Sequence, residues 1–111
     1  MLVTETRILI QARMSSERLP GKMLAILGDR PLIDHVIDRV CEVTEPAQVV
    51  LTTSDDISDD VLVEHVSRHY EIEVFRGDLH NVFSRYRDCL RSFPCEWFVR
   101  ISGDSPFIDP D

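Results

Sequence analysis

The chain has 111 residues, 43% hydrophobic and 29% charged, with a formal net charge of -8. That length allows one domain burying roughly 65% of its unfolded surface. No apolar run approaches the roughly 18 residues of a membrane span and no signal peptide opens the chain, so a soluble, cytoplasmic protein with no membrane partner is expected.

Charge is unevenly placed. Residues 42–80 hold ten Asp or Glu against Arg68 and Arg76, a balance equal to that of the whole chain, whereas residues 7–22 carry Arg7, Arg13, Arg18 and Lys22 against Glu17 alone. One compact basic turn on an acidic body suits a small anion. It argues against nucleic acid as a partner, because a phosphate backbone needs a broad basic stripe. Cys41, Cys89 and Cys95 form no Cys-x-x-Cys pair, which argues against a disulfide framework or a zinc knuckle.

Strand-length apolar runs occur at residues 7–12, 49–53, 72–75 and 97–101, with helical periodicity between them. The first strand feeds the basic turn Gln11-Ala-Arg-Met-Ser-Ser-Glu-Arg-Leu-Pro-Gly-Lys22. Leu32, Ile33, Val36, Ile37, Val40 and Cys41 then form one helical stripe, with Pro31 placed for the first turn and Pro46 beyond the end. A second helix carries Leu62, Val63, Val66 and Tyr70 after the acidic turn Ser54-Asp55-Asp56, whose side chains suit a helix N-terminus. Its His65 and His69 are spaced like a metal pair but lack the rest of a zinc motif, and a solvent-facing helix is expected. The third helix carries Val82, Phe83, Tyr86, Leu90 and Phe93, with Asp78 as its expected N-cap. The order β-α-β-α-β-α-β implies right-handed crossovers and a mostly parallel sheet with helices on both faces.

The basic turn gathers backbone N–H groups, the hydroxyls of Ser15 and Ser16, two guanidinium groups and one ammonium, which suits a triphosphate. A solvated basic loop is the alternative. Asp104, in Gly103-Asp-Ser-Pro106 after the fourth strand, suits either a magnesium ion held against those phosphates or simple turn chemistry. Thr53 and Ser54, at the end of the second strand, suit contacts to a base or ribose, or a helix cap. Asn81 and Arg85, one helical turn apart, belong either to the ligand crevice or to a polar helix face.

The turn from Gln11 to Lys22, together with Pro31-Leu-Ile-Asp-His-Val36, Phe75-Arg-Gly-Asp78 and Arg100-Ile-Ser-Gly-Asp-Ser-Pro-Phe-Ile-Asp-Pro110, resembles the sugar cytidylyltransferases. The resemblance is to the spore coat polysaccharide biosynthesis type, related to the acylneuraminate and 3-deoxy-manno-octulosonate enzymes. It covers nearly the whole chain. It implies a Rossmann-like, GT-A-like nucleotide-diphospho-sugar transferase fold that binds CTP and transfers CMP to an acidic or modified sugar. By position, Arg13, Ser16, Arg18 and Lys22 match family residues that hold the nucleotide triphosphate, and Asp104 matches the first metal carboxylate; Gln11 and Ala12 are expected to join the nucleotide site, with Arg13, Lys22 and Asp104 as the catalytic group. Family members are about twice as long, and their second half supplies much of the sugar pocket, a further metal carboxylate and often a dimer interface. The expectation is therefore that residues 1–111 form the N-terminal nucleotide-binding part of one such domain. This part is expected to bind nucleotide weakly, to self-associate through apolar surface left exposed, a homodimer being one such form, and to release no pyrophosphate by itself.

Two other readings stand beside this one. A non-catalytic nucleotide-binding module would keep the crevice and lack the sugar half. A glycosyltransferase of similar fold would carry Asp-x-Asp after the corresponding strand, and Gly103-Asp104-Ser105 lacks the first acid.

Overall fold

The computed structural model describes residues 4–15 and 21–103. Strand β1 (Thr4–Gln11) is followed by a two-residue hairpin of β2 (Ile26–Leu27) and β3 (Arg30–Pro31), then helix α1 (Leu32–Cys41) and strand β4 (Val49–Ser54). Helix α2 (Asp60–His69), strand β5 (Glu73–Gly77), helix α3 (Val82–Ser92) and strand β6 (Cys95–Ser102) complete the order. The long strands form one parallel sheet in the order β5-β4-β1-β6, with Ile10 beside both Leu51 and Ile101.

Period-2 alternation divides the core between the two faces of this sheet. Ile10, Val49 and Leu51 pack with Ile33, Val36 and Ile37 of α1 and Leu62 and Val66 of α2. Leu9 and Val50 point the other way, against Tyr86 and Cys89 of α3. All six β4 residues are buried, as a strand covered on both faces requires. Each fully buried Leu or Ile here contributes about 1.5–3 kcal/mol relative to exposure. β6 lies at the edge and leaves Trp97, Phe98 and Val99 exposed.

The chain therefore leaves β1 toward β4 on one side and returns from β5 to β6 on the other. That reversal makes the carboxyl ends of β1 and β6 the topological switch point, where open α/β sheets bind ligands.

Three local expectations are corrected. Pro31 precedes α1 in extended conformation (φ -56, ψ 150) and pairs with Ile26, because the β2–β3 hairpin, turning at Gly28 (φ 72), occupies the approach to the helix. Asn81, not Asp78, caps α3 by accepting the Ser84 N–H at 2.9 Å. Asp78 instead accepts the N–H groups of His80 and Asn81 in the preceding turn. His65 does not face solvent but turns inward onto Asp34 of α1, Nε2 to Oδ1 2.7 Å, because α2 packs beside α1 at that level.

Candidate functional site

Three backbone bonds carry the ladders past the strand ends and fix the rim of the crevice. Ala12 N–H donates to Thr52 O at 3.2 Å, Asp55 N–H to Gly77 O at 2.8 Å, and Gly103 N–H to Gln11 O at 2.7 Å. At Gly103 the end of β6 lies tight against β1: a Cβ there would stand 2.8 Å from the Ala12 Cβ and 3.1 Å from Gln11 O. Only glycine allows that approach without a shift.

The basic turn starts from this rim. Gly21, at φ +79, donates its N–H to Met14 O at 2.8 Å, so the chain that leaves β1 through Arg13 returns to the same place just before Lys22. Lys22–Leu24 is a short 3-10 turn that buries Met23 in the core. Arg13 is half-buried. The structure thus brings Gln11, Ala12, Arg13 and Lys22 to the end of β1, with Thr53 and Ser54 on the neighbouring strand. Ser16, Arg18 and Asp104 lie outside the described residues.

Thr53 and Ser54 are both fully buried. The Ser54 hydroxyl donates to Asp59 Oδ2 and accepts the Asp56 N–H at 3.2 Å, while the Thr53 hydroxyl finds no partner among the described residues. Asp59, also fully buried, receives the Met14 N–H on Oδ1 at 2.5 Å. One carboxylate therefore ties the basic turn to the end of β4. No local pattern announces this contact, because it joins residues 45 positions apart.

Helix α3 closes the other side. The Tyr86 hydroxyl donates to Gln11 Oε1 at 2.5 Å, which leaves the Gln11 amide nitrogen as the group free to donate. Arg85 is fully buried, with its stem against Gly77, where a Cβ would come within 3.0 Å of the Arg85 Cγ. Its Nη1 donates to Asp78 O at 3.2 Å. Burial first, and then repulsion from Arg13, lower the pKa of this guanidinium, against partial compensation from Tyr86, Asp59 and Asp78. The sequence signal for Arg85 is its place in the apolar stripe of α3, three residues after Val82 and four before Cys89.

Among the described residues, no three His, Cys, Asp or Glu side chains gather in a way that would hold a metal. Magnesium needs only one or two carboxylates when substrate phosphates and water complete its shell.

Residues 7–111 match a family model described as cytidylyltransferase. The chain is 36% identical over 107 residues to the spore coat polysaccharide biosynthesis protein SpsF of Bacillus subtilis, covering 93% of this chain and 44% of that protein. It is 36% identical over 110 residues to the 3-deoxy-manno-octulosonate cytidylyltransferase of Mesorhizobium japonicum, covering 95% and 43%. A solved cytidylyltransferase from Leptospira borgpetersenii superposes with a TM-score of 0.88 at 34% identity, covering 96% of this chain and 44% of that one. A CMP:2-keto-3-deoxy-manno-octonic acid synthetase solved in complex with CTP superposes with a TM-score of 0.75 at 28% identity, covering 96% and 43%. The chain thus spans less than half the length of the relatives it matches. With the parallel sheet, the closed basic turn and these likenesses in agreement, the chain belongs to the cytidylyltransferase family.

Proposed function

We propose that residues 1–111 are the nucleotide-binding part of a cytoplasmic enzyme that transfers CMP from CTP to an acidic or modified sugar in surface polysaccharide biosynthesis, releasing pyrophosphate. The observation that carries this reading is the closure of the basic turn by Gly21 on Met14, which sets Arg13 and Lys22 on either side of one junction at the end of β1.

In that reaction a sugar oxygen attacks the α-phosphorus in line with the departing pyrophosphate. Negative charge grows on the leaving group, and the cations of the turn, Arg13, Arg18 and Lys22, are the groups to balance it. Ser16 adds a hydroxyl donor to the phosphates, and the Gln11 amide and the Ala12 backbone line the inner wall. Thr53 and Ser54 form the floor on the nucleoside side. Asp104 is the carboxylate that would hold magnesium, which when bound polarises the phosphate. The sugar pocket falls to the part of the relatives that this chain does not match.

Thermal unfolding with a panel of nucleotides, with and without magnesium, tests the reading. A ligand specific to the native state adds about 2.7 kcal/mol of apparent stability at 100 times its dissociation constant. CTP should give that shift, and Lys22→Ala should weaken CTP binding by about 1.5–3 kcal/mol while leaving the unliganded melting temperature nearly unchanged. Asp104→Asn should remove the magnesium dependence. A folded protein that no nucleotide stabilises would overturn the proposal.

A further inference from the structure

We propose that Arg85 is a phosphate-binding residue, whose Nε–H and Nη2–H edge works with Arg13 to take one phosphate group of the bound nucleotide from the α3 side of the crevice. The inference rests on the nucleotide-binding reading above and adds a contact from outside the basic turn.

Arg85 is 0% exposed, and its Nε and Nη2 atoms are buried without an acceptor among the described residues. These two N–H groups lie on one edge of the planar guanidinium and project in parallel, a spacing that fits two oxygens of a phosphate. The neighbouring acids do not reach these two atoms. Asp59 receives Ser54 and Met14, and the Oδ1 of Asp78 receives His80 and Asn81. A buried cation with two unused donors is strongly unfavourable, and an apolar side chain in its place would pack at lower cost. The pattern makes sense when an acceptor arrives from outside the chain.

Charge decides what that acceptor is. Burial first, and then the charge of Arg13, lower the proton affinity of Arg85, so a second cation acts on this guanidinium. A base or a ribose hydroxyl would satisfy hydrogen bonds but leave the like charges opposed. A phosphate satisfies both demands. Arg13 is only half-buried. Gly77 keeps the space through which the Arg85 stem passes.

The test is calorimetric titration of the 111-residue protein, Arg85→Lys and Arg85→Met with pyrophosphate, CTP and cytidine. Both substitutions should weaken pyrophosphate and CTP by about 10- to 100-fold and leave cytidine unchanged. In the unsubstituted protein the Arg85 Nε–H resonance should shift and become protected from exchange when pyrophosphate is added, a readout that needs no variant. Unchanged pyrophosphate and CTP affinity in folded variants, or an unmoved Nε resonance, overturns the inference. So does an equal loss of cytidine, which would mark Arg85 as a reader of the base. If pyrophosphate binds through Arg85 but CTP is not preferred over other nucleotides, the inference stands and the cytidylyl reading fails. If no phosphate compound binds the unsubstituted protein, both fail.

Discussion

The Tyr86 hydroxyl donates to Gln11 Oε1 at 2.5 Å, so a residue of α3 sets the orientation of the last residue of β1, 75 positions earlier in the chain. This bond lies between the α3-side core and the rim of the crevice, and packing and site geometry meet in it. Tyr86→Phe keeps the ring and removes the donor. The expected cost is about 1 kcal/mol, seen as a fall in melting temperature of about 4–8 °C for a chain of this size. The Gln11 amide, no longer held, should also let CTP affinity fall severalfold. A Tyr86→Phe protein that loses stability yet binds CTP as before would confine the bond to packing.

Gly103→Ala probes the junction of β6 with β1. The added methyl would stand 2.8 Å from Ala12 Cβ, 3.1 Å from Gln11 O and 3.2 Å from Met23 Sδ, contacts that force one strand end away from the other. Overpacking of this kind costs about 1–3 kcal/mol. Because Asp104 follows directly, the same change should weaken the magnesium dependence of nucleotide binding. Gly28→Ala is the comparison, since it meets nothing within 4 Å and differs only in its positive φ of +72. It should lower stability by about 1–2 kcal/mol and leave magnesium dependence intact.

Much of this arrangement is legible in the sequence, because it rests on period. The four strands and three helices follow from apolar spacing alone, and the two-faced sheet follows from their alternation. The hairpin before α1 is missed because two-residue strands have no period to read. His65 goes wrong, and Arg85 stays open between crevice and polar face, for a common reason. Each is a polar side chain on the inward face of a helix, where period alone expects apolar residues; His65 is held by Asp34 on another helix and Arg85 is fully buried. Asp59 shows the same limit: among four acids in six residues, only tertiary contact with Met14 and Ser54 distinguishes the one that anchors the turn.

The turn before α3 makes a pH-dependent contribution. Hydrogen bonds from the Asn81 and His80 N–H groups lower the Asp78 pKa below its ordinary 3.8. A depressed carboxylate pKa contributes stability that is fully present above the unfolded value and is lost as pH falls through the folded one. Asp78→Asn should therefore differ most from the unsubstituted protein above pH 3.8, with the gap closing below it. Urea unfolding between about pH 6 and 2 measures this. A gap that is constant across the range would show that the carboxylate charge adds nothing beyond turn geometry.

The last prediction concerns what 111 residues can do alone. Among the described residues Arg13 and Lys22 flank the junction closed by Gly21 on Met14, and Arg85 is buried on α3; on the reading proposed above these groups hold a nucleotide. Transfer demands more. The attacking sugar oxygen must be held in line with the α-phosphorus, and that positioning is worth several kcal/mol of the barrier. No group of metal-ligating side chains among the described residues could clamp both the attacking and the leaving oxygens. The protein should accordingly bind CTP while releasing no pyrophosphate across a panel of acidic sugars, and a full-length relative such as the Bacillus subtilis protein assayed in parallel serves as comparison. Pyrophosphate release by the 111-residue protein at an ordinary enzymatic rate would place a sugar site within these residues and overturn the assignment of that site to the unmatched part of the relatives.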